Sequence, residues 1–395
     1  MRKRKIAIFT GNRAEYGLLY SVIKAIKEHP KLRYYLLVSG SHLQEDFGYT
    51  VKEIKKDGFK VYAEVKLKRP DDSVFSTAQA IGSGILNLSI ILKKLKPDML
   101  IVYADRYEGF SAMITGTQMN IPTAHIEGGD LTEGGALDDS VRHAMTKLAH
   151  LHFTTNKEAA ERIKKLGEEE WRIFNVGAPV LDLIEQGKFA SPQEIIQKFK
   201  IDLEKPLVLF TQHSVTTEYE KAGQQIKPSL EALEDLAKQD YQIIITYPNN
   251  DAGGKEIIKK IKQLKKKKIQ NIHIIKSLGR YYYHGLMNIC GRIGKGVCVG
   301  NSSSGIKETP AFGCPVVNIG SRQNKRLRAR NVIDVGYSKK DIIKAVKYAV
   351  TNESFREKCK KCNNPYGKGN VGLKIANVIA NIELGKKILQ KKMTY

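Results

Sequence analysis

With 395 residues, the chain exceeds the size at which one hydrophobic core keeps growing, which points to two domains. Hydrophobic residues at 42%, charged residues at 27% and only 12 prolines exclude a disordered, collagen-like or chiefly membrane-embedded chain. A formal charge of +25 admits nucleic acid, acidic lipid or an anionic small molecule as partner without choosing among them.

The segment Met1–Lys5 has the charge of an export signal, but the apolar run behind it ends at Thr10-Gly11-Asn12-Arg13, so it reads as a first strand. Short β-branched runs follow at Ile6–Phe9, Tyr35–Val38, Met99–Tyr103, Thr123–Ile126, His152–Thr154 and Ile173–Val176. Between them lie stretches of helical periodicity, such as Leu18, Val22, Ile23 and Ile26, or Ile81, Ile85, Leu88 and Leu92. This alternation predicts βαβ units and a parallel sheet. The stretch Ile85–Leu92 contains Asn87 and Ser89 and runs into Lys93, short of the roughly 18 apolar residues of a spanning helix, so no membrane partner is expected.

From Val180 to about Lys205 the pattern breaks into a polar helical stretch with Gly187, Ser191 and Pro192. A second series then runs through Leu207–Phe210, Gln242–Thr246, Ile272–Ile275, Val297–Val299 and Pro315–Ile319. The expected class is α/β, with two Rossmann-like domains, residues 1–185 and residues 186–395. The last helix, about Leu373–Leu384, is a candidate to pack back on the first domain.

Cys290, Cys298, Cys314, Cys359 and Cys362 are odd in number and lie late in the chain, which fits a cytoplasmic protein without a disulfide framework. The pair Cys359 and Cys362 lacks a second pair, so no metal site is expected. Lysines around Ile257, Ile258 and Ile261, and the run Lys265–Lys268, describe a solvated helix face. Without zinc-finger spacing, an RNA-binding aromatic signature or a basic arm, nucleic acid is not the expected partner.

Ligands of open parallel sheets bind beyond the carboxyl ends of strands, so the loops there carry most weight. Thr10–Gly17 contains Arg13 and Glu15 and opens a helix; it reads as an anion-binding turn or as a plain strand-to-helix turn, and it is not GxGxxG. Asp105-Arg106 and His125-Ile126-Glu127-Gly128-Gly129 end successive strands. Their carboxylates suit acid/base work if they converge, and capping or solvation if they do not. Asp138 and Asp139 open the next helix ahead of Arg142, where capping is an equal alternative. His213 follows the first strand of the second series, and Gly300-Asn301-Ser302-Ser303-Ser304-Gly305 gathers hydroxyls and amides in the manner of a phosphate cradle. Glu308, one turn further on, is placed to accept from ribose hydroxyls. Tyr281-Tyr282-Tyr283-His284 reads as packing.

Taken together, these loops resemble the hydrolysing UDP-N-acetylglucosamine 2-epimerases of sialic-acid and related nonulosonate biosynthesis, including the epimerase half of the animal bifunctional enzyme. The resemblance covers roughly residues 5 to 335 and rests on Gly11–Tyr16, Asp105-Arg106, His125–Gly129, Asp138–His143, Gln212–Thr217, Pro248-Asn249, Gly300–Gly305 and Gly320–Gln323. It implies a glycosyltransferase-B type of fold with the active site in the interdomain cleft. Non-hydrolysing relatives usually carry Glu-Ala-Gly-Leu-Arg where this chain has Glu127-Gly128-Gly129-Asp130-Leu131, which favours the hydrolysing branch.

The implied chemistry is elimination of UDP across C1 and C2, then hydration that inverts C2, with no redox cofactor and no metal. By the same resemblance Asp105, Glu127, Asp139 and His213 are the acid/base candidates. Arg13, Asn249, Ser302, Ser303, Glu308 and Arg322 would hold UDP, while Arg106, His125 and Arg142 would lie along the substrate. The partners expected are a UDP-sugar, UDP-N-acetylglucosamine first, and further copies of the chain as a dimer or tetramer. Alternatives are a UDP- or GDP-2,4-diacetamido-2,4,6-trideoxyglucose substrate, a glycosyltransferase with an acceptor groove, and a basic nucleic-acid binder.

Overall fold

The structure is a computed structural model and describes residues 2–45, 48–68, 74–132, 137–249 and 252–395. It divides into two compact units, each built on its own parallel sheet.

The first unit holds β1 (Arg4–Thr10), β2 (Leu32–Ser39), β3 (Val61–Val65), β4 (Met99–Tyr103), β5 (Thr123–Ile126), β6 (Leu151–Thr154) and β7 (Ile173–Asn175) in the order β3-β2-β1-β4-β5-β6-β7. All of its pairings are parallel. The central β4, Met-Leu-Ile-Val-Tyr, is buried along its whole length, as a strand covered on both faces requires. Strand β3 escaped the sequence reading because it is an edge strand with only Val65 buried, so its residues alternate instead of forming an apolar run.

The second unit holds β8 (Leu207–Thr211), β9 (Gln242–Thr246), β10 (Ile272–Ile275), β11 (Gly296–Gly300), β12 (Val316–Ile319) and β13 (Val332–Val335) in the order β10-β9-β8-β11-β12-β13, again all parallel. The unexpected β13 is also an edge strand with no fully buried residue.

Residues 366–395 belong to the first unit, so the expected span 186–395 does not form one body. Val371, Ile375, Ala376 and Ile379 of the helix Val371–Asn381 are buried in one core with Ile6, Leu19 and Val22. Asp182 accepts from the Val371 and Gly372 amides at that helix's start, 2.7 Å each. A Cβ on Gly372 would lie 2.5 Å from the Ser21 carbonyl, so only glycine permits this approach. The helix stops before the expected Leu384 because Arg4 Nη1 donates to the Ile379 and Ile382 carbonyls at 2.6 and 2.7 Å, satisfying its C-terminus. Farther on, buried Arg172 donates to the carbonyls of Lys387, Ile388 and Gln390.

The apolar segment is longer than the stretch Ile85–Leu92 read from the sequence: Phe75–Leu95 is long and apolar enough to cross a membrane by length and composition alone, a test that a core helix also passes. Its Leu88, Leu92 and Leu95 are buried in a core with Leu100 and Val102. Phe75, Leu86 and Ile90 are about 70% exposed.

Candidate active site

Each sheet reverses its strand order once, between β1 and β4 in the first unit and between β8 and β11 in the second. Such switch points leave a crevice beyond the carboxyl ends, because the two neighbouring connections run off to opposite faces. The loops singled out in the sequence lie there: Gly11–Arg13 and Ala104–Arg106 in one sheet, Gln212–Val215 and Gly300–Ser304 in the other.

In the first unit, Tyr103 pairs with Ile126, so Asp105 and Glu127 leave β4 and β5 nearly level. Asp105 accepts from Nη2 of Arg142, whose Nη1 donates to Asp139 Oδ1 at 3.0 Å and to the Asp130 carbonyl at 2.7 Å. The guanidinium is almost fully buried, and its planar fork holds two carboxylates from separate elements. Arg142 is therefore a bridge between two acid/base candidates. Asp139 lies in the first turn of its helix and is held there by this ion pair.

Glu127 Oε2 accepts from Tyr103 Oη inside the buried region. Burial and the Glu127 charge hold the Tyr103 phenol well above its usual range, so it remains a donor. Both Ala104 (φ 54°) and Glu127 (φ 67°) adopt left-handed backbone, which costs a non-glycine residue roughly 1 kcal/mol or more. Two such positions at adjacent strand ends mark the spot where the backbone is bent to present side chains.

His125 was expected along the substrate but is fully buried. Its Nε2 donates to the Ala104 carbonyl at 2.6 Å, and its Nδ1 accepts from Thr146 Oγ1 at 3.1 Å. Burial lowers its pKa to about 4, so the ring is a neutral brace under the Ala104 turn. Arg13 is half exposed and pairs with Glu53 at 3.0 Å. Arg106, also half exposed, lies 3.5 Å from buried Glu108. Beside it, Glu15 Oε1 accepts from the Gly11 amide at 3.3 Å, and burial followed by the Glu108 charge raises the Glu15 pKa to about 8.

In the second unit, the Asn301 side chain clamps the backbone of His213, accepting from its amide at 2.7 Å and donating to its carbonyl at 2.9 Å. His213 Nδ1 accepts from the Asn249 amide at 3.1 Å, which leaves the ring hydrogen on Nε2. Burial and the Arg322 charge lower its pKa well below the usual histidine range. Arg322 Nη1 and Gln323 Nε2 donate to the Asn301 carbonyl at 3.2 and 2.8 Å, tying the two loops together.

Gly300 has φ 125°, and a Cβ there would lie 1.9 Å from the Thr211 carbonyl, so the turn accepts only glycine. Ser302 Oγ lies 2.8 Å from Ser304 Oγ, and Ser303 starts the single turn Ser304–Lys307. The cradle is thus made of hydroxyls and loop amides, since the helix behind it is one turn long. Glu308 Oε2 is 2.7 Å from His284 Nε2.

Sequence reasoning singled out these loops, Asn301 among them, but gave Tyr103, Glu108 and His284 no place at the site. Of these three, Tyr103, two residues before Asp105 on the same strand, carried a positional signal.

Two doubly wound parallel sheets, each with a polar cluster at its switch point, make a fold of the glycosyltransferase-B type. The family model for UDP-N-acetylglucosamine 2-epimerase matches residues 24–380, and the chain belongs to that family. It is 33% identical over 392 residues to a hydrolysing UDP-N,N′-diacetylbacillosamine 2-epimerase of Legionella pneumophila, covering 99% of this chain and all of that one. To a hydrolysing GDP/UDP-N,N′-diacetylbacillosamine 2-epimerase of Campylobacter jejuni it is 35% identical over 334 residues, 85% of either chain. Its fold is similar to that of a Neisseria meningitidis UDP-GlcNAc 2-epimerase solved with UDP-GlcNAc, with a TM-score of 0.81 at 20% identity over 95% of this chain and 99% of that one.

Proposed function

We propose that the chain is a hydrolysing 2-epimerase that eliminates UDP from UDP-N,N′-diacetylbacillosamine and hydrates the product with inversion at C2. The single observation carrying this reading is the acid array of the first unit, in which Arg142 grips Asp105 and Asp139 while Tyr103 supports Glu127 one strand away. The C2 proton is barely acidic, so its removal needs a carboxylate fixed before substrate arrives. Asp105, Glu127 and Asp139 meet that requirement. His213, with Nδ1 occupied and hydrogen on Nε2, serves as a donor to the departing diphosphate and not as the C2 base. Arg322, Ser302, Ser303 and Asn249 complete the UDP site, and Arg13 and Arg106 supply exposed cations to the first loops.

The sugar is chosen from the relatives at 35% and 33% identity, both named for N,N′-diacetylbacillosamine, which moves the preference away from UDP-N-acetylglucosamine. A 2,4-diacetamido-2,4,6-trideoxy sugar nucleotide leads to the diacetamido nonulosonates of the legionaminic-acid type. The exposed stripe Phe75, Leu86 and Ile90 supports self-association, since an uncharged face on a chain of +25 is where two copies meet with least repulsion.

The test is incubation, without acceptor, with UDP- and GDP-linked diacetylbacillosamine and UDP-N-acetylglucosamine in deuterium oxide, followed by NMR. The expected products are free UDP and a C2-inverted sugar carrying deuterium at C2. Faster turnover of UDP-N-acetylglucosamine would reverse the choice of sugar. An epimerised UDP-sugar without free UDP would mean a non-hydrolysing enzyme, and no turnover of any compound would refute the reading.

A further inference from the structure

The helix Gly279–Asn288 contributes two side chains to the nucleotide loop of the second unit. Tyr281 is exposed and reaches Glu194 at 3.1 Å, and Tyr282 meets Phe199 edge-on, as the packing reading of this cluster expects. Tyr283 and His284 turn inward instead. Tyr283 Oη lies 3.1 Å from Ser304 Oγ and 3.4 Å from Thr211 Oγ1, bracing both strand-end loops at once.

His284 is 1% exposed, its ring tilted against Phe312, with Nε2 2.7 Å from Glu308 Oε2. Its Nδ1 is buried and has no hydrogen-bond partner among the described residues. A hydrogen on Nδ1 would be a buried donor without an acceptor, which is costly, so the ring carries its hydrogen on Nε2 and donates it to Glu308. The other carboxylate oxygen, Oε1, accepts from no described residue. A carboxylate held through one oxygen presents the second in a set direction, and an oxygen that only accepts is suited to a sugar hydroxyl.

We propose that His284 is a positioning residue: its Nε2–H donation to one oxygen of Glu308 aims the other oxygen at a ribose hydroxyl of the nucleotide. This inference rests on the UDP-sugar reading above. Without the histidine, Glu308 keeps its charge but loses its direction, so the energy of the ribose contact is spent on ordering the side chain.

Calorimetric titration of UDP, 2′-deoxy-UDP and 3′-deoxy-UDP into the wild-type protein, His284→Phe, His284→Leu and His284→Gln tests the inference. In the wild type, the nucleotide lacking the contacted hydroxyl should bind about 10-fold more weakly than UDP. In His284→Phe and His284→Leu, which offer no donor, that penalty should shrink to less than about 3-fold while UDP itself weakens. His284→Gln, whose amide N–H can stand in for Nε2–H, should restore most of the penalty. The penalty is a ratio within one preparation, so partial loss of folded protein does not alter it, and the Phe variant keeps the ring volume against Phe312. An undiminished penalty in the donor-less variants, or a Gln variant that behaves like them, overturns the proposal. Failure of the wild type to bind UDP refutes the UDP-sugar reading itself, and is told apart because no ratio then exists.

Discussion

Glu15 offers a test of how the first unit handles buried charge. It lies in the first turn of the helix Arg13–Glu28, 4% exposed, with Gly11, Glu108 and Arg106 around it. Burial, then the charge of Glu108, raises its pKa from 4.5 to about 8. The native protein therefore holds a proton at neutral pH that the unfolded chain has released. Under linkage, a carboxyl raised on folding leaves stability untouched below the unfolded value, where both states are protonated. Between about 4.5 and about 8 it costs about 1.4 kcal/mol per pH unit, and above the folded value the loss is complete. From about pH 5 to about pH 8 the expected loss is about 4 kcal/mol. Glu15→Gln keeps the shape of the side chain and removes the titration. Urea unfolding of both proteins at four pH values should show the variant gaining on the wild type by about that amount as pH rises, with near equality at pH 5. Glu108→Gln removes the neighbouring charge and should move the window to lower pH. Equal pH slopes for wild type and Glu15→Gln would refute the assignment of the buried proton.

Arg142→Leu should destabilise the first unit by about 3–5 kcal/mol, because it strands two largely buried carboxylates, and a melting curve within 1 °C of wild type would contradict the bridge. Glu127→Gln should lower turnover about 100- to 10,000-fold with little change in unfolding free energy, and normal turnover would remove Glu127 from the acid/base group. Leu86→Glu with Ile90→Glu should yield monomers by light scattering if the exposed stripe joins copies; an unchanged mass would place any interface elsewhere.

Central strands such as Met-Leu-Ile-Val-Tyr at β4 and Leu-Val-Leu-Phe-Thr at β8 were legible because burial on both faces leaves an uninterrupted apolar run. The loops after them were legible for a related reason: a polar break directly after such a run, as at Asp105-Arg106 or Gln212-His213-Ser214, marks a strand's carboxyl end. Strand order was not. The neighbouring of Gly11–Arg13 with Ala104–Arg106 follows from β1 pairing with β4 over a sequence separation of more than 90 residues, a choice made by the packing of both faces at once. The return of Val371–Asn381 to the first unit has the same character, since its apolar stripe fits any helix-shaped groove until Asp182, Ser21 and Arg4 single one out.

Side-chain roles divide along that line. Residue type and position after a strand marked Asp105, Glu127 and His213 as chemically able. Only the tertiary structure made Arg142 a bridge, buried His125 as a brace and set His284 against Glu308 across 24 residues. A hydrogen bond is directional over a few tenths of an ångström, and local sequence specifies which groups are available without specifying which of them meet.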